Sequence, residues 1–113
     1  TLSNTAAIER KMSLDELAMC FGTERKRFVK EFERAKEIGM RIYMLVENAS
    51  YENLYNHKYR SKLSPNAFVA SLFAWMARYD CKVIFCKEET SPKVIHDILY
   101  RELKERLERG DFG

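Results

Sequence analysis

The chain has 113 residues, which suits one domain of ordinary size and leaves no room for a second. Hydrophobic residues make up 46% and charged residues 33%, with four Gly and two Pro, so the disordered, collagenous and low-complexity classes are excluded. The formal net charge of +3 permits an anionic partner without requiring one.

The apolar stretches and the cysteines indicate the surroundings of the protein. The most apolar stretch, residues 67–77, is shorter than the roughly 20 residues of a membrane-spanning helix, so we expect no membrane partner. Cys20, Cys81 and Cys86 form no C-x-x-C pair, and no signal peptide opens the chain. A reducing, cytoplasmic location is therefore predicted.

Apolar periodicity and helix caps predict four helices and three strands. Ser13 and Glu16 have the S-x-x-E spacing of a capping box, and Ser64 followed by Pro65 has the chemistry of an N-cap and first helical position. In chain order, the predicted elements are a strand at 6–11, helices at 13–21 and 24–38, a strand at 40–46, a helix at 64–79, a strand at 83–86 and a helix at 91–110.

This order of elements predicts an α/β fold. The strand at 40–46 is apolar at nearly every position, which indicates a central strand buried on both faces. A right-handed crossover then pairs it in parallel with the strand at 83–86. The helix between them is apolar on most faces and is expected deep in the core, whereas the last helix is amphipathic. Its apolar stripe contains Val94, Ile95, Ile98, Leu99, Leu103 and Leu107.

The connection over residues 48–62 is rich in Tyr, Asn, Lys and Ser. Its composition predicts a surface loop with a short helical turn. Polar, aromatic connections also often carry function, so a functional role is the alternative.

The strongest candidate for chemistry is the run Glu9-Arg10-Lys11. Residues two apart on a strand point to the same face, so Glu9 and Lys11 should project together while Arg10 points the other way. A carboxylate is a suitable ligand for Mg²⁺, which is usually held by one or two carboxylates with phosphates and water. A neighbouring lysine can orient or help deprotonate water, or offset charge on phosphorus. The pattern is therefore that of a metal-dependent nuclease.

The spacing E-x-K is not specific by itself, because it recurs at Glu24 to Lys26 and at Glu102 to Lys104. Both of those pairs fall in predicted helices. Only the first pair ends a strand and precedes a helix N-terminus, whose free N–H groups favour a phosphate. A solvated charge run that closes an edge strand is the alternative interpretation.

Further candidates lie in the first two predicted helices. Asp15 is either a site residue or the usual acidic complement to the helix dipole. Arg25, Lys26 and Arg27 open the second helix and are candidate phosphate contacts, or else an ordinary surface cluster. On a helical wheel Arg25 falls toward the packed face and Arg27 falls on the far side.

Other residues with chemical potential have simpler interpretations. Glu47 follows the central strand, where α/β sheets commonly place ligands, although a strand-ending charge is the simpler role. His57 and His96 have no acid or cysteine at ligand spacing, which argues against zinc. Trp75 belongs to the predicted buried helix and is interpreted as a core residue.

The motif resembles the signature of a known nuclease family. Residues 8–11 (I-E-R-K), followed three residues later by 15–18 (D-E-L-A), resemble the E-R-K-x3-D signature of the xeroderma pigmentosum group F (XPF-type) nuclease domain. The strand ending M-L-V-E at 44–47 is similar to the family's strand that ends in an acid. The resemblance spans nearly the whole chain and suggests a bacterial or phage member.

The resemblance implies a restriction-endonuclease-like fold, with a mixed sheet between helices, and cleavage of DNA near branches or flaps with Mg²⁺ or Mn²⁺. It implies that Glu9 is the metal-binding carboxylate and Lys11 the catalytic lysine. Arg10 and Asp15 match the rest of the signature. The implied biology is DNA repair or recombination, with a homodimer as a possible assembly. The family's arginine after the first helix corresponds to either Arg25 or Arg27.

Two features depart from the family pattern. The family places a Gly-Asp pair just ahead of a segment like residues 1–3, and that Asp supplies a second metal ligand, but no acidic residue precedes Glu9 here. We therefore expect that an N-terminal part of the domain is missing. The chain also has no tandem helix-hairpin-helix module. An inactive nuclease-like module that binds DNA or serves as a scaffold is the alternative function, followed by a purely protein-interaction domain.

Overall fold

The structure, a computed structural model, describes residues 6–108. The predicted helices and strands are confirmed within this range, and the connection at 48–62 contains the expected short helix. The predicted end of the last helix, at Gly110, lies outside the described residues. In chain order the elements are β1 (Ala6–Lys11), α1 (Leu14–Phe21), α2 (Arg25–Glu37), β2 (Arg41–Glu47), α3 (Tyr51–Tyr55), α4 (Pro65–Tyr79), β3 (Lys82–Cys86) and α5 (Ser91–Glu108).

The three described strands form a parallel sheet in the order β1-β2-β3. The predicted central position of β2 and its parallel pairing with β3 are confirmed, with Met44 opposite Val83. Arg10 pairs with Leu45 and Lys11 pairs with Val46, so β1 is also parallel to β2. Within residues 6–108 the sheet is therefore purely parallel, where the resemblance implied a mixed sheet.

One face of the sheet is covered by α1, α2 and α4. Met44 and Val46 point to this face and are fully buried with Phe32 and Trp75 in one cluster. Aromatic rings fill its centre, with Phe28 stacked on Trp75 at 5.2 Å between ring centroids. Such burial supplies the main favourable term in folding.

The expectation that α4 lies deep in the core is only partly met. Phe68, Leu72 and Trp75 are fully buried along one stripe, but Phe73 on another face is 40% exposed. The helix is apolar almost all round, yet the described elements cover only one side of it. Apolar composition thus overstated how much of α4 is enclosed.

The other face of the sheet lies against α5. Glu102 of α5 contacts both Arg41 and Tyr43 of β2. The predicted apolar stripe of α5 is only partly buried, because Leu99, Leu103 and Leu107 remain 41–45% exposed while Val94, Ile95 and Ile98 are half-buried. No helix within residues 6–108 is long and apolar enough to span a bilayer.

Candidate active site

Glu9 and Lys11 converge on one face of β1, as the alternation of a strand predicts. Glu9 Oε1 lies 3.1 Å from Lys11 Nζ. The two side chains are 33% and 14% exposed, so solvent still reaches both of them. The pair lies on the face of the sheet that α1 and α2 cover. Because both side chains are still partly exposed, the pair lies at the margin of this covered face.

Lys11 is held by groups from both helices. Its Nζ lies 5.8 Å from the centroid of the Phe28 ring, which is within cation–π range. Partial burial lowers the pKa of Lys11, but attraction to Cys20 and hydrogen bonds to Glu9 and Cys20 outweigh it, and the net pKa is raised. At neutral pH the side chain is therefore a cation.

Arg10 points to the opposite face, also as predicted. Its Nε donates to Glu47 Oε2 at 2.5 Å, and Glu47 is fully buried while the Arg10 side chain is 51% exposed. Arg10 and then the Ser91 hydroxyl hold the pKa of Glu47 below its ordinary value, against the opposing effect of burial. Glu47 Oε1 and the Ser91 hydroxyl are both buried, and neither has a hydrogen-bond partner of normal geometry within residues 6–108.

The sequence did not predict that Glu47 would pair with Arg10. The sequence predicted a strand-ending charge at Glu47, and the structure shows this carboxylate fully buried in an ion pair between β1 and β2. The sequence feature that could have indicated a buried Glu47 is its position at the end of an otherwise apolar run. The choice of partner depended on strand order, which the local pattern did not contain.

The N-terminus of α1 follows the pair directly. Ser13 caps the helix, because its hydroxyl accepts from the Glu16 N–H at 3.2 Å, as the S-x-x-E spacing predicted. Asp15 is half-buried in the first turn, where its Oδ1 accepts from the backbone N–H groups of Arg60 and Ser61, both at 2.8 Å. The carboxylate of Asp15 therefore joins α1 to the chain that precedes α4.

The three basic residues that open α2 have different environments. Arg25 donates to the Phe21 carbonyl at 3.3 Å, and its guanidinium lies 5.4 Å from the Trp75 ring centroid, so it faces the packed side as the helical wheel indicated. Arg27 forms an exposed ion pair with Glu24. Lys26 is exposed.

The described residues do not form a complete set of metal ligands. No group of three or more His, Cys, Asp or Glu side chains within residues 6–108 is arranged to hold an ion. Glu9 offers one carboxylate, and Mg²⁺ is commonly held by one or two carboxylates with phosphates and water. The donor set therefore fits a metal that also takes ligands from a substrate, and it does not form a closed cage.

These features describe an α/β domain in which an acid and a protonated lysine meet at the carboxyl end of a parallel strand. The family model of the ERCC4 domain matches residues 2–96, and the chain belongs to this family of nuclease domains that act on DNA. The XPF-type resemblance and the restriction-endonuclease-like α/β fold are thereby confirmed. No curated protein and no solved structure matches the chain.

Proposed function

We propose that this protein is a divalent-metal-dependent endonuclease domain that hydrolyses DNA phosphodiesters at branched or flap structures, in repair or recombination. The observation that carries the proposal is the 3.1 Å approach of Glu9 Oε1 to Lys11 Nζ, on a face that solvent reaches, within the motif of a nuclease family. A carboxylate beside a cation supports this proposal, because phosphodiester hydrolysis uses a metal-held oxygen and a positive charge near phosphorus.

Glu9 would hold the Mg²⁺ or Mn²⁺ ion. When bound, such an ion acts as a Lewis acid on a phosphoryl oxygen. The remaining ligands would come from the DNA phosphate, from water or from a carboxylate outside residues 6–108. Glu9 also holds Lys11 in place through its own ion pair.

Lys11 would stabilise the negative charge that builds on phosphorus. Its raised pKa favours the protonated form, which suits a charge-stabilising role better than proton abstraction from water. Contact with Phe28 limits the positions open to Nζ, so the cation is placed before DNA binds. Such preorganisation is the main source of electrostatic catalysis.

Arg25 is the better candidate for a phosphate contact among the residues that open α2. Its guanidinium lies on Trp75, which stacks on Phe28, and Phe28 in turn contacts Lys11. Arg27 is already paired with Glu24 and points to solvent. Lys26, which lies between them, would add a second exposed charge for DNA.

The cellular setting and assembly belong to the same proposal. Free thiols at Cys20, Cys81 and Cys86 support a cytoplasmic location. The exposed leucine row of α5 supports a homodimer, because exposed apolar rows are often covered by a second subunit. A bacterial or phage origin stays a prediction.

Cleavage of forked and linear DNA with Mg²⁺, with Mn²⁺ or with EDTA tests the proposal. We expect cleavage only with metal, and a loss of roughly a hundredfold or more in rate for Glu9→Gln and Lys11→Gln. Lys36→Gln and Glu37→Gln remove exposed charges at the end of α2 and serve as matched controls. Circular dichroism checks that each variant folds. Unchanged cleavage in both site variants rejects the assignment.

A nuclease-like module that binds DNA without cutting it is the second candidate. The incomplete donor set within residues 6–108 favours it. In that case the protein binds forked DNA in a salt-sensitive manner and leaves it intact with either metal. Metal-dependent cleavage that requires Glu9 excludes this second function.

A further inference from the structure

The segment from Lys58 to Lys62, which we call the basic segment, carries three exposed cations. Lys58, Arg60 and Lys62 are exposed, whereas the intervening Tyr59 and Ser61 are half-buried. None of the three cations forms an ion pair with a group in the described part of the chain. Three positive charges that form no ion pair within the described residues therefore face solvent.

The inner side of the basic segment is firmly packed. Tyr59 donates from its hydroxyl to the Leu63 carbonyl at 2.6 Å, and its ring packs edge-on against Phe68 at 5.3 Å between centroids. The His57 ring stacks on Tyr59 at 4.3 Å, and His57 Nε2 lies 2.8 Å from the Ser61 carbonyl oxygen. Because the backbone is already ordered, a ligand would bind here with little loss of conformational entropy.

Asp15 fixes where this segment lies. Its Oδ1 accepts from the N–H groups of both Arg60 and Ser61. Asp15 is in the first turn of α1, only four residues after Lys11, so the basic segment is held at the N-terminus of the helix that follows β1.

We propose that the basic segment is a DNA-backbone contact, with Lys58, Arg60 and Lys62 binding phosphates next to the cleavage site, and that Asp15 is the positioning residue that holds it there. The proposal rests on the proposed function for its ligand. Phosphate contacts of this kind set register and orientation without reading sequence. They would align a strand of DNA with the Glu9 and Lys11 pair.

Binding of a fluorescein-labelled forked DNA, followed by anisotropy in EDTA over a range of salt, separates binding from cleavage. The triple change Lys58→Gln, Arg60→Gln and Lys62→Gln should weaken binding by roughly tenfold or more and lower the salt slope by about two to three. The control carries Arg34→Gln, Lys36→Gln and Lys82→Gln, one arginine and two lysines that are exposed in the last turn of α2 and at the start of β3. The control variant should change log Kd for the DNA by less than about a third of the change in the triple variant.

For Asp15, the inference predicts a change in DNA affinity opposite to the usual effect of removing an acid. Removing an acid near DNA normally tightens binding, but Asp15→Ala should weaken it several-fold because the anchor is lost. Asp15→Asn removes the charge and keeps an oxygen acceptor for both N–H groups, so its affinity should equal or exceed that of the unchanged protein. An acid that served only as a metal ligand would give no weakening for Asp15→Ala in EDTA.

The outcomes separate this inference from the function on which it rests. If the unchanged protein binds DNA and the triple variant binds as tightly, or if Asp15→Ala binds no more weakly, the inference is wrong and the nuclease proposal stands. If the unchanged protein binds no DNA, both are wrong. Weakening in the triple variant and in Asp15→Ala, with recovery in Asp15→Asn, supports the inference.

Discussion

Arg10 and Glu47 form an ion pair on the side of the sheet opposite Glu9 and Lys11, with 2.5 Å between Arg10 Nε and Glu47 Oε2. The middle residue of the E-R-K motif is thus bonded to a fully buried carboxylate on the neighbouring strand. Because Arg10 lies between Glu9 and Lys11, its bond to β2 helps fix the backbone from which both site residues project. One motif therefore supplies the candidate site on one face and its support on the other.

Replacement of Glu47 should destabilise the protein in a pH-dependent way. Glu47→Gln removes the charge that pairs with Arg10, so we expect a fall of several degrees in Tm at neutral pH. The lowered pKa of Glu47 means that its contribution is fully present above the ordinary carboxyl pKa and is lost as the pH falls through the folded value. The difference in Tm from the unchanged protein should therefore shrink in acid.

Thermal unfolding followed by circular dichroism at a series of pH values measures this difference. Glu89→Gln, at an exposed position before α5, is the matched control and should change Tm little at any pH. If the difference in Tm between Glu47→Gln and the unchanged protein stays constant as the pH is lowered, the ion pair is contradicted.

Lys11 should titrate above the ordinary lysine pKa of 10.5, because attraction to Cys20 and Glu9 outweighs partial burial. An NMR titration of the lysine side-chain signals, with Lys11 assigned through Lys11→Arg, measures the midpoint. In Glu9→Gln one partner is lost, and the midpoint should fall. A midpoint near neutral pH in the unchanged protein would instead make Lys11 a base.

Trp75→Ala should be severely destabilising. Trp75 is fully buried and contacts Phe21, Phe28 and Phe32, so truncation leaves a large cavity in the core. We expect a loss of about 3–5 kcal/mol in the free energy of unfolding, measured by chemical denaturation. Phe73→Ala, on the same helix but 40% exposed, is the control and should cost clearly less. Equal losses would show that Trp75 is not a core residue.

Two serines of α4 should respond in opposite directions. The Ser64 hydroxyl accepts from the Ala67 N–H at 3.2 Å as the N-cap, so Ser64→Ala should cost about 0.5–2 kcal/mol. Ser71 lies inside the helix, where alanine is the better helix former, so Ser71→Ala should be neutral or slightly stabilising. Denaturation curves of both variants check the contrast, and a loss at Ser71 as large as at Ser64 would contradict the cap assignment.

Local patterns were sufficient for most of the fold. The S-x-x-E spacing placed the start of α1, the Ser-Pro pair placed the start of α4, and the apolar run of β2 marked it as central. These signals work because caps and periodicity depend on neighbours in sequence. They did not show which faces would be enclosed, and hence Leu99 and Phe73 are more exposed than their patterns indicated.

For the site, the sequence by itself determined that Glu9 and Lys11 share a face and that Arg10 takes the other, because alternation along a strand is a local property. Only the tertiary structure decided the partners of the remaining residues: Glu47 for Arg10, and the backbone of Arg60 and Ser61 for Asp15. These contacts join residues 37 to 46 positions apart. They arise from strand order and from the path of the chain between α3 and α4, which no local pattern encodes.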